Sequence, residues 1–462
     1  MTDIQARAMP YRAEVVDDAR PVDEPAAKAK SGLRAALAVP GSAPRRAAIT
    51  TIDQCFSSAS NFAVGVVVAR VAGPAGLGAY SIAYAVWLVL AVVHRAMVTD
   101  PMAIDGDARR DDAHTRLQSG ATAEITFGVV VAIGMAACAA GIMVVGQHNV
   151  GLALLVLAPF VPFLLIQDYW RWVGFMQARP TQSLLNDAVF NCIMAALLVA
   201  LIVCGLRSPS IAILAWGVGA AVAAIYGARQ FRVVPQRQGG VAMMRSRWHM
   251  SKWLLASGVT GWGSNQAWPI FAAPGVGSAG LGGVRAAQSL VAGPSLVLLQ
   301  AGGSMGLPEA SHGLEHHGWA GLKRVARWVT VLGIVSVGAV AALVFVAGPT
   351  ILSKVYGPEF AKYAVTAQII GVAWLVQTVS LGSVIVLKAT RRTRQLSNIG
   401  FAAFFVSAVT LVTFSYVWGV QGTAWAMVVN SAFMATALLR AERTAAREFA
   451  AEVHPSAARW AP

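Results

Sequence analysis

Twelve apolar stretches, each of about twenty residues or more, dominate this chain of 462 residues and limit what it can fold into. A helix of roughly 20 apolar residues crosses the hydrocarbon core of a bilayer, so each stretch is long enough to span a membrane. The stretches lie at residues 50–71, 78–100, 120–146, 150–175, 183–205, 210–230, 251–273, 281–307, 326–348, 361–388, 397–418 and 420–439. Only 12% of the residues are charged, against about 25% in a typical soluble protein. The sequence predicts an all-α polytopic membrane protein with about 12 transmembrane helices.

The formal net charge of +15 indicates how the chain is oriented in the membrane rather than a nucleic-acid partner. Lys and Arg lie in the connections between apolar stretches, not on one soluble face. With the amino terminus placed inside, the inner segments carry 30 of the 36 basic residues and the outer connections carry five. Because basic residues concentrate on the cytoplasmic side, we expect a multi-pass protein of the cytoplasmic membrane with both termini in the cytoplasm.

Two segments of the chain recur at one spacing. Ser60-Asn61 recurs as Ser264-Asn265, and Gly-Pro-Ala-Gly-Leu-Gly at 73–78 recurs as Gly-Ser-Ala-Gly-Leu-Gly at 277–282, both at an offset of 204 residues. Six predicted spans, an even number, separate the copies, so equivalent helices run in the same direction. The sequence therefore predicts two six-helix lobes related by a parallel internal repeat, an arrangement that commonly encloses a central substrate path.

The repeat and the charge pattern divide the chain into five regions. The first 48 residues mix charged residues with Pro and Ala and have no apolar core, which favours a disordered tail over a signal peptide. The predicted regions are a disordered cytoplasmic tail at 1–48, a six-helix lobe at 49–230, a cytoplasmic linker at 231–250, a second six-helix lobe at 251–440 and a cytoplasmic tail at 441–462.

Two short motifs carry a resemblance to a known family. Residues 69–81, Ala-Arg-Val-Ala-Gly-Pro-Ala-Gly-Leu-Gly-Ala-Tyr-Ser, contain an Ala-Arg pair, a Gly-Pro and a Gly-x-Tyr. Residues 355–360, Val-Tyr-Gly-Pro-Glu-Phe, precede an apolar helix that ends in Leu-Lys-Ala at 387–389. Both segments resemble the polysaccharide transporter branch of the multidrug/oligosaccharidyl-lipid/polysaccharide exporter superfamily.

The resemblance implies a flippase for lipid-linked oligosaccharides. Members of that branch move polyprenyl-pyrophosphate-linked sugars from the cytoplasmic to the outer leaflet by alternating access of two lobes, around a cationic central cavity. The partners that it implies are a lipid-linked glycan substrate, membrane lipids and enzymes of glycan biosynthesis. It implies no cofactor.

Five residues are candidates for binding the substrate. Arg95 and Arg285 lie within predicted spans, and a guanidinium stays charged in a low dielectric and offers two parallel donors to phosphate oxygens. Gln288 follows Arg285 at helical spacing, and Asn61 and Asn265 are repeat equivalents on polar helix faces. The alternatives are that the arginines extend to the membrane surface and that the small polar faces pack helix against helix.

Acidic residues in the first lobe are candidates for ion coupling or a gate. Asp53, Glu124 and Asp187 lie near the predicted cytoplasmic starts of their spans, where they could simply complement the helix dipole, and Asp100 could end the second span. A further pair, Asp168 and Arg171, is three residues apart and could form an ion pair within one helix.

Other functions fit the sequence less well. A cation-coupled multidrug antiporter of the same superfamily would favour an acidic cavity, and a transport-inactive membrane scaffold would keep the fold without the function. A membrane enzyme is not expected, because every predicted outer connection is about fourteen residues or shorter. No Walker-type ATP loop is present, so energy would come from an ion gradient, the membrane potential or consumption of the product. Neither a metal site nor a disulfide is expected, since the four cysteines all fall in apolar stretches.

Overall fold

In a computed structural model of the protein, the structure is described for residues 43–104, 113–236 and 239–453. The described part of the chain is helical almost throughout and contains no strand. The predicted disordered tail at 1–48 lies outside the described residues except for its last six, which are the start of the first helix.

The first lobe contains six helices. The continuous helix Ala43–His94 departs from helical geometry at Gly73, which divides it into α1 and α2. After His94, α2 continues through a π-helical turn and one more α-helical turn. The bounds are α1 at 43–72, α2 at 74–94 with Arg95–Thr99 and Asp100–Ile104, α3 at Ala113–Val144, α4 at His148–Leu157 with Ala158–Phe160 and Val161–Met176, α5 at Pro180–Val203 and α6 at Ser210–Phe231.

The second lobe repeats this order. The long helices Trp268–Tyr356 and Thr393–Val453 are divided by three glycines with non-helical dihedral angles. The bounds are α7 at Gly240–Gln266 with 268–276, α8 at 278–317, α9 at 319–356, α10 at Pro358–Tyr363 with Ala364–Thr378 and Leu381–Ala389, α11 at 393–418 and α12 at 420–453. The predicted linker at 231–250 is therefore partly helical, because α7 already begins at Gly240. The predicted tail at 441–462 is helical as far as Val453.

Single glycines make four of the joins between helices. Gly73, Gly277, Gly318 and Gly419 have φ between 58° and 66°, a left-handed conformation that only glycine adopts without strain. The chain reverses there: a Cβ placed on Gly313 would lie 3.1 Å from the carbonyl carbon of a residue eight positions later, which a straight helix would hold about 12 Å away. Helices thus follow one another with almost no loop.

Eight continuous helices in the described residues are long and apolar enough to cross a membrane. Two of them, Cys55–Ile104 and Thr393–Ala450, have 50 and 58 residues, far more than the roughly 20 that one crossing needs. Division at their glycines makes each a pair of spans. With α7 and α8, the helices number twelve.

The two lobes meet where α2 crosses α8. A Cβ on Gly78 would strike the carbonyl oxygen of Ser278, and a Cβ on Gly282 would strike the carbonyl oxygen of Pro74. The 204-residue offset converts each of these two contacts into the other, because Gly282 and Ser278 are the repeat equivalents of Gly78 and Pro74. Reciprocal contacts of this kind are what a two-fold relation between parallel repeats requires, and small residues let the two backbones approach this closely.

Candidate functional site

A cavity of about 570 Å³ lies between the two lobes. The first lobe contributes α1 and α2 to its wall, whereas the second contributes α7, α8, α10, α11 and α12. On α8 the lining residues Arg285, Gln288, Ser289 and Ala292 recur at steps of three and four, so one face of that helix forms part of the wall.

Arg285 is the only charged residue that lines this cavity within the described part of the chain. Its guanidinium carbon lies 5.0 Å from the centre of the Tyr84 ring, a cation–π arrangement that supports the side chain from the first lobe. None of the ion pairs among the described residues involves Arg285. The guanidinium donors therefore have no carboxylate partner among the residues that the structure describes.

Neutral polar groups make up much of the remaining wall. Six lining residues carry a side-chain hydroxyl other than that of tyrosine, and four are aromatic. Six carry an amide: Asn61, Asn265, Gln266, Gln288, Gln377 and Asn430. Asn61 and Asn265 are repeat equivalents, so the two lobes present the same side chain to the cavity from α1 and α7.

The structure brings four of the five predicted substrate-binding residues together in the cavity wall. Asn61, Asn265, Arg285 and Gln288 all line it, while Arg95 does not. That these residues contact a substrate stays a prediction.

Arg95 belongs instead to a buried ion-pair cluster inside the first lobe. Its Nε lies 2.9 Å from Asp168 Oδ2, and its guanidinium packs on Trp172 at 5.3 Å. His94 reaches the same Asp168 oxygen through Nε2 at 2.8 Å and contacts Glu124 through Nδ1 at 3.0 Å. His94 and Glu124 are both fully buried.

A π turn at Arg95–Thr99 directly follows His94, in the part of α2 where two adjacent residues reach one carboxylate. Successive residues of an α-helix point about 100° apart, so His94 and Arg95 would ordinarily face different neighbours. Here the Asp100 amide donates to the carbonyl of Arg95, five residues earlier, which shifts the helical register at that point. His94 escaped the sequence analysis because a single His beside an Arg carries no spacing signal. Pro101 has no backbone N–H to continue the regular hydrogen-bond ladder, so it signals the irregular turn but not the role of His94.

A second cluster lies beside the first. Arg171 Nη2 lies 2.8 Å from Asp53 Oδ2, and its Nε lies 3.0 Å from Asp187 Oδ2. Gln167 donates to Asp187 Oδ1 at 2.8 Å, and Ser57 donates to the other oxygen at 3.4 Å. The cluster thus ties α1, α4 and α5 together.

The proposed pairing of Asp168 with Arg171 is wrong. Although both lie on α4, Asp168 pairs with α2 and Arg171 pairs with α1 and α5. Asp168 and Arg171 each contact oppositely charged side chains on neighbouring helices, and not each other.

The four predicted coupling residues occupy different positions. Asp53 and Asp187 share Arg171, and Glu124 pairs with His94. All three are buried, so they do not serve as solvated residues at helix ends. Asp100 is partly buried, one turn beyond Arg95. Their role in ion coupling stays a prediction.

The two family-like motifs touch each other across the lobes. Arg70, at the end of α1, donates through Nε to the carbonyl of Val355 at 2.7 Å and through Nη2 to the carbonyl of Lys354. A Cβ on Gly73 would lie 3.0 Å from Glu359 Oε1. Arg70 thus caps the carbonyl end of α9, and we call this contact the Arg70 latch.

Solved structures with the same architecture are membrane transporters, although no family model and no curated protein matches the sequence. A multidrug resistance MATE family transporter of the MOP superfamily, in its inward-facing conformation, is 12% identical with a TM-score of 0.66, over 84% of this chain and 94% of that one. The lipid II flippase MurJ, in an inward closed conformation, is 12% identical with a TM-score of 0.67, over 85% and 87% of the two chains.

This chain has the fold of the MOP superfamily. A member from Pyrococcus furiosus is also 12% identical, with a TM-score of 0.56, over 91% of this chain and 98% of that one. The twelve-helix, two-lobe architecture predicted from the sequence is confirmed. At this level of identity the likeness concerns the MOP fold, and what the cavity carries has to be argued from its own side chains.

Proposed function

We propose that the protein is a transporter that flips a polyprenyl-pyrophosphate-linked oligosaccharide or polysaccharide precursor across the cytoplasmic membrane by alternating access, for synthesis of a cell-surface glycan. The observation that carries the proposal is Arg285, a lone cation in a cavity whose described lining has no carboxylate. A guanidinium without an acidic partner attracts an anion strongly in a medium of low dielectric, and its planar donors match phosphate oxygens.

The charge of the cavity also distinguishes between cargoes that this fold carries elsewhere. One similar structure is a multidrug resistance transporter and another is a lipid II flippase, so the fold alone does not choose. A cationic drug would be repelled by Arg285, whereas a pyrophosphate would be attracted. Asn61, Asn265 and Gln288 would then hydrogen-bond the rest of the headgroup.

The first lobe is proposed to couple transport to an ion. Its buried clusters hold the carboxylates of Asp53, Glu124, Asp168 and Asp187 against the guanidiniums of Arg95 and Arg171, together with His94. An excess of buried acid is costly unless a proton or cation balances it. Asp53, Asp100, Glu124 and Asp187 are the proposed coupling or gating residues. We also propose that both termini lie in the cytoplasm, on the side where glycan biosynthesis enzymes would make the substrate.

Flipping can be measured in proteoliposomes that contain a polyprenyl pyrophosphate carrying a fluorescent sugar. A membrane-impermeant quencher then reports the fraction of label in the outer leaflet over time. We expect the wild-type protein to equilibrate the label and Arg285→Gln to slow it by about tenfold or more, because hydrogen bonds to charged groups contribute about 1.5–3 kcal/mol.

Arg207→Gln is the matched control, since Arg207 is exposed and does not line the cavity. It should flip the label at the wild-type rate. Equal rates for Arg285→Gln and the wild type would refute the role given to Arg285. Uptake of a cationic dye without flipping of the lipid would support the antiporter instead, and neither activity would support a scaffold.

A further inference from the structure

Three residues that line the cavity each have a buried side-chain polar atom with no hydrogen-bond partner among the described residues. These atoms are the side-chain oxygens of Gln288 and Asn430 and the indole nitrogen of Trp268. Such groups are rare in folded proteins and are commonly explained by a ligand or ordered water. All three belong to the second lobe, on α8, α12 and α7.

The orientation of Asn430 is fixed by its other hydrogen bond. Its Nδ2 donates to the backbone carbonyl of Ser264 at 3.0 Å, and a carbonyl can only accept. The Asn430 side-chain oxygen is therefore the atom left over, and it needs a donor.

Aromatic rings lie beside these groups. Trp374 lines the cavity, is half-buried and stacks on no other aromatic ring within the described part of the chain, whereas Trp268 is 3% exposed and packs with the core behind it. A flat apolar face next to neutral donors and acceptors suits a sugar, whose C–H faces pack on aromatic rings while its hydroxyls both donate and accept.

Apart from Arg285, the polar side chains that line this part of the cavity are neutral, and their neutrality has a physical reason. A carboxylate would accept a sugar hydroxyl more strongly than an amide, but it would also neutralise Arg285 and repel a pyrophosphate nearby. Amides such as those of Gln288, Gln377 and Asn430 accept a hydrogen bond without adding negative charge.

The volume of the cavity limits the size of the ligand. Pockets of about 300–1,000 Å³ enclose a ligand of drug size, and this one has about 570 Å³. That space accommodates one or two sugar rings beside a pyrophosphate, but not a long polysaccharide.

We propose that the second-lobe wall formed by Trp268, Gln288, Trp374 and Asn430 is a sugar subsite, which recognises the hydroxyls of the sugar attached directly to the pyrophosphate. The inference rests on the proposed function. It adds that the transporter distinguishes a sugar-bearing lipid from the bare lipid pyrophosphate, and that this selection occurs in the second lobe, beside the charge site at Arg285.

The test compares two ligands of one chain length, polyprenyl pyrophosphate with and without a single glucose, titrated onto the full protein in nanodiscs. We expect the wild type to bind the sugar-bearing lipid more tightly. In Asn430→Leu the ratio of the two dissociation constants should fall about three- to tenfold, the value of one or two hydrogen bonds. Val429→Leu, on the same helix, should keep the wild-type ratio.

A ligand-side experiment avoids any dependence on the folding of the variant. Methylation of every glucose hydroxyl removes its donors, so the wild type should bind this lipid about as weakly as the bare pyrophosphate. Equal affinity of the wild type for the bare, sugar-bearing and methylated lipids would overturn the sugar subsite and leave the flippase proposal standing. Binding of none of the three would contradict both.

Discussion

Asp168 holds two adjacent residues of one helix at once. Its Oδ2 lies 2.8 Å from His94 and 2.9 Å from Arg95, and Asp168 is 4% exposed. A guanidinium and an imidazole around one buried carboxylate make a junction between α2 and α4. Because Asp168 itself has almost no contact with water, the junction depends on the charge of Asp168.

Asp168→Asn should therefore destabilise the protein strongly. Removal of one partner from a buried ion pair leaves an uncompensated charge and costs about 3–5 kcal/mol. We expect a loss of that size in the free energy of unfolding, measured by titration with a denaturing detergent. Glu448→Gln is the control: Glu448 pairs with Arg392 but is exposed, so its loss should cost at most about 1 kcal/mol. Equal losses for the two variants would contradict the junction.

The sequence identified most of the ionisable residues of the first lobe but not their partners. Asp53, Glu124 and Asp187 stood out because charge is expensive in a membrane. Their pairing depends on how the helices α1 to α5 are rotated about their axes relative to one another. One turn of α2, at Arg95–Thr99, is π-helical and changes the rotation of the residues that follow. Spacing within one helix carries no information about such rotations. It therefore favours a pair between Asp168 and Arg171, whereas Asp168 pairs with His94 and Arg95 on α2.

At the scale of helices, α2 and α8 cross at glycines that leave no room for a side chain. Gly78 and Gly282 face each other, with the backbone nitrogen of each 3.0 to 3.1 Å from where a Cβ on the other would lie. The repeat in the sequence predicted that these helices are equivalent. It did not predict that they touch, because a repeat gives the symmetry of two elements and not the distance between them.

Gly282→Ala and Gly78→Ala should cost similar amounts of stability. Each new methyl group strikes a backbone carbonyl that cannot move away, and overpacking of this kind costs about 1–3 kcal/mol. Thermal or detergent unfolding measures the loss.

Gly134→Ala serves as the control for this pair. Nothing lies within 4 Å of a Cβ at Gly134, so the variant should be as stable as the wild type or slightly more stable, by up to about 1 kcal/mol. A loss for Gly282→Ala no larger than that of the control would show that the crossing is looser than the structure has it.

For the whole molecule, the Arg70 latch joins the lobes at one end of the bundle. Arg70 of the first lobe donates to the last carbonyls of α9 in the second lobe, where the helix dipole also favours a cation. The proposed alternating access would require the lobes to separate at this end during part of the cycle. Under that proposal, the cycle would have to break the latch.

Arg70→Ala should shift the protein toward an arrangement that is open at this end. Spin labels on Leu206 and Lys362, both exposed near the latch in different lobes, report the separation by pulsed electron paramagnetic resonance. We expect a longer and broader distance distribution in the variant. Arg207→Ala at the same end should leave the distribution unchanged, and an identical change in both variants would rule out a specific latch.

The two lobes share one fold but differ in where their polar side chains lie. The ion-pair clusters lie in the first lobe, whereas five of the seven helices that line the cavity belong to the second. The sequence indicated the acidic first lobe from composition alone. It could not show that the amides of α7, α8, α10 and α12 converge, because they are far apart along the chain and meet only when the second lobe folds.

The short joins between helices also limit where other proteins can attach. At the end of the bundle that contains Gly73, Gly277, Gly357 and Gly419, no connection is longer than the six residues at 204–209. That face offers an interacting protein little beyond helix tips. Under the proposed function, an enzyme that delivers substrate would have to dock at the opposite end, where α2 ends at Ile104, α3 begins at Ala113 and α6 ends at Phe231, or approach sideways through the lipid. The two ends of the bundle would then differ. A protein could deliver the substrate directly at one end, whereas the substrate would leave the other end without a bound protein to receive it.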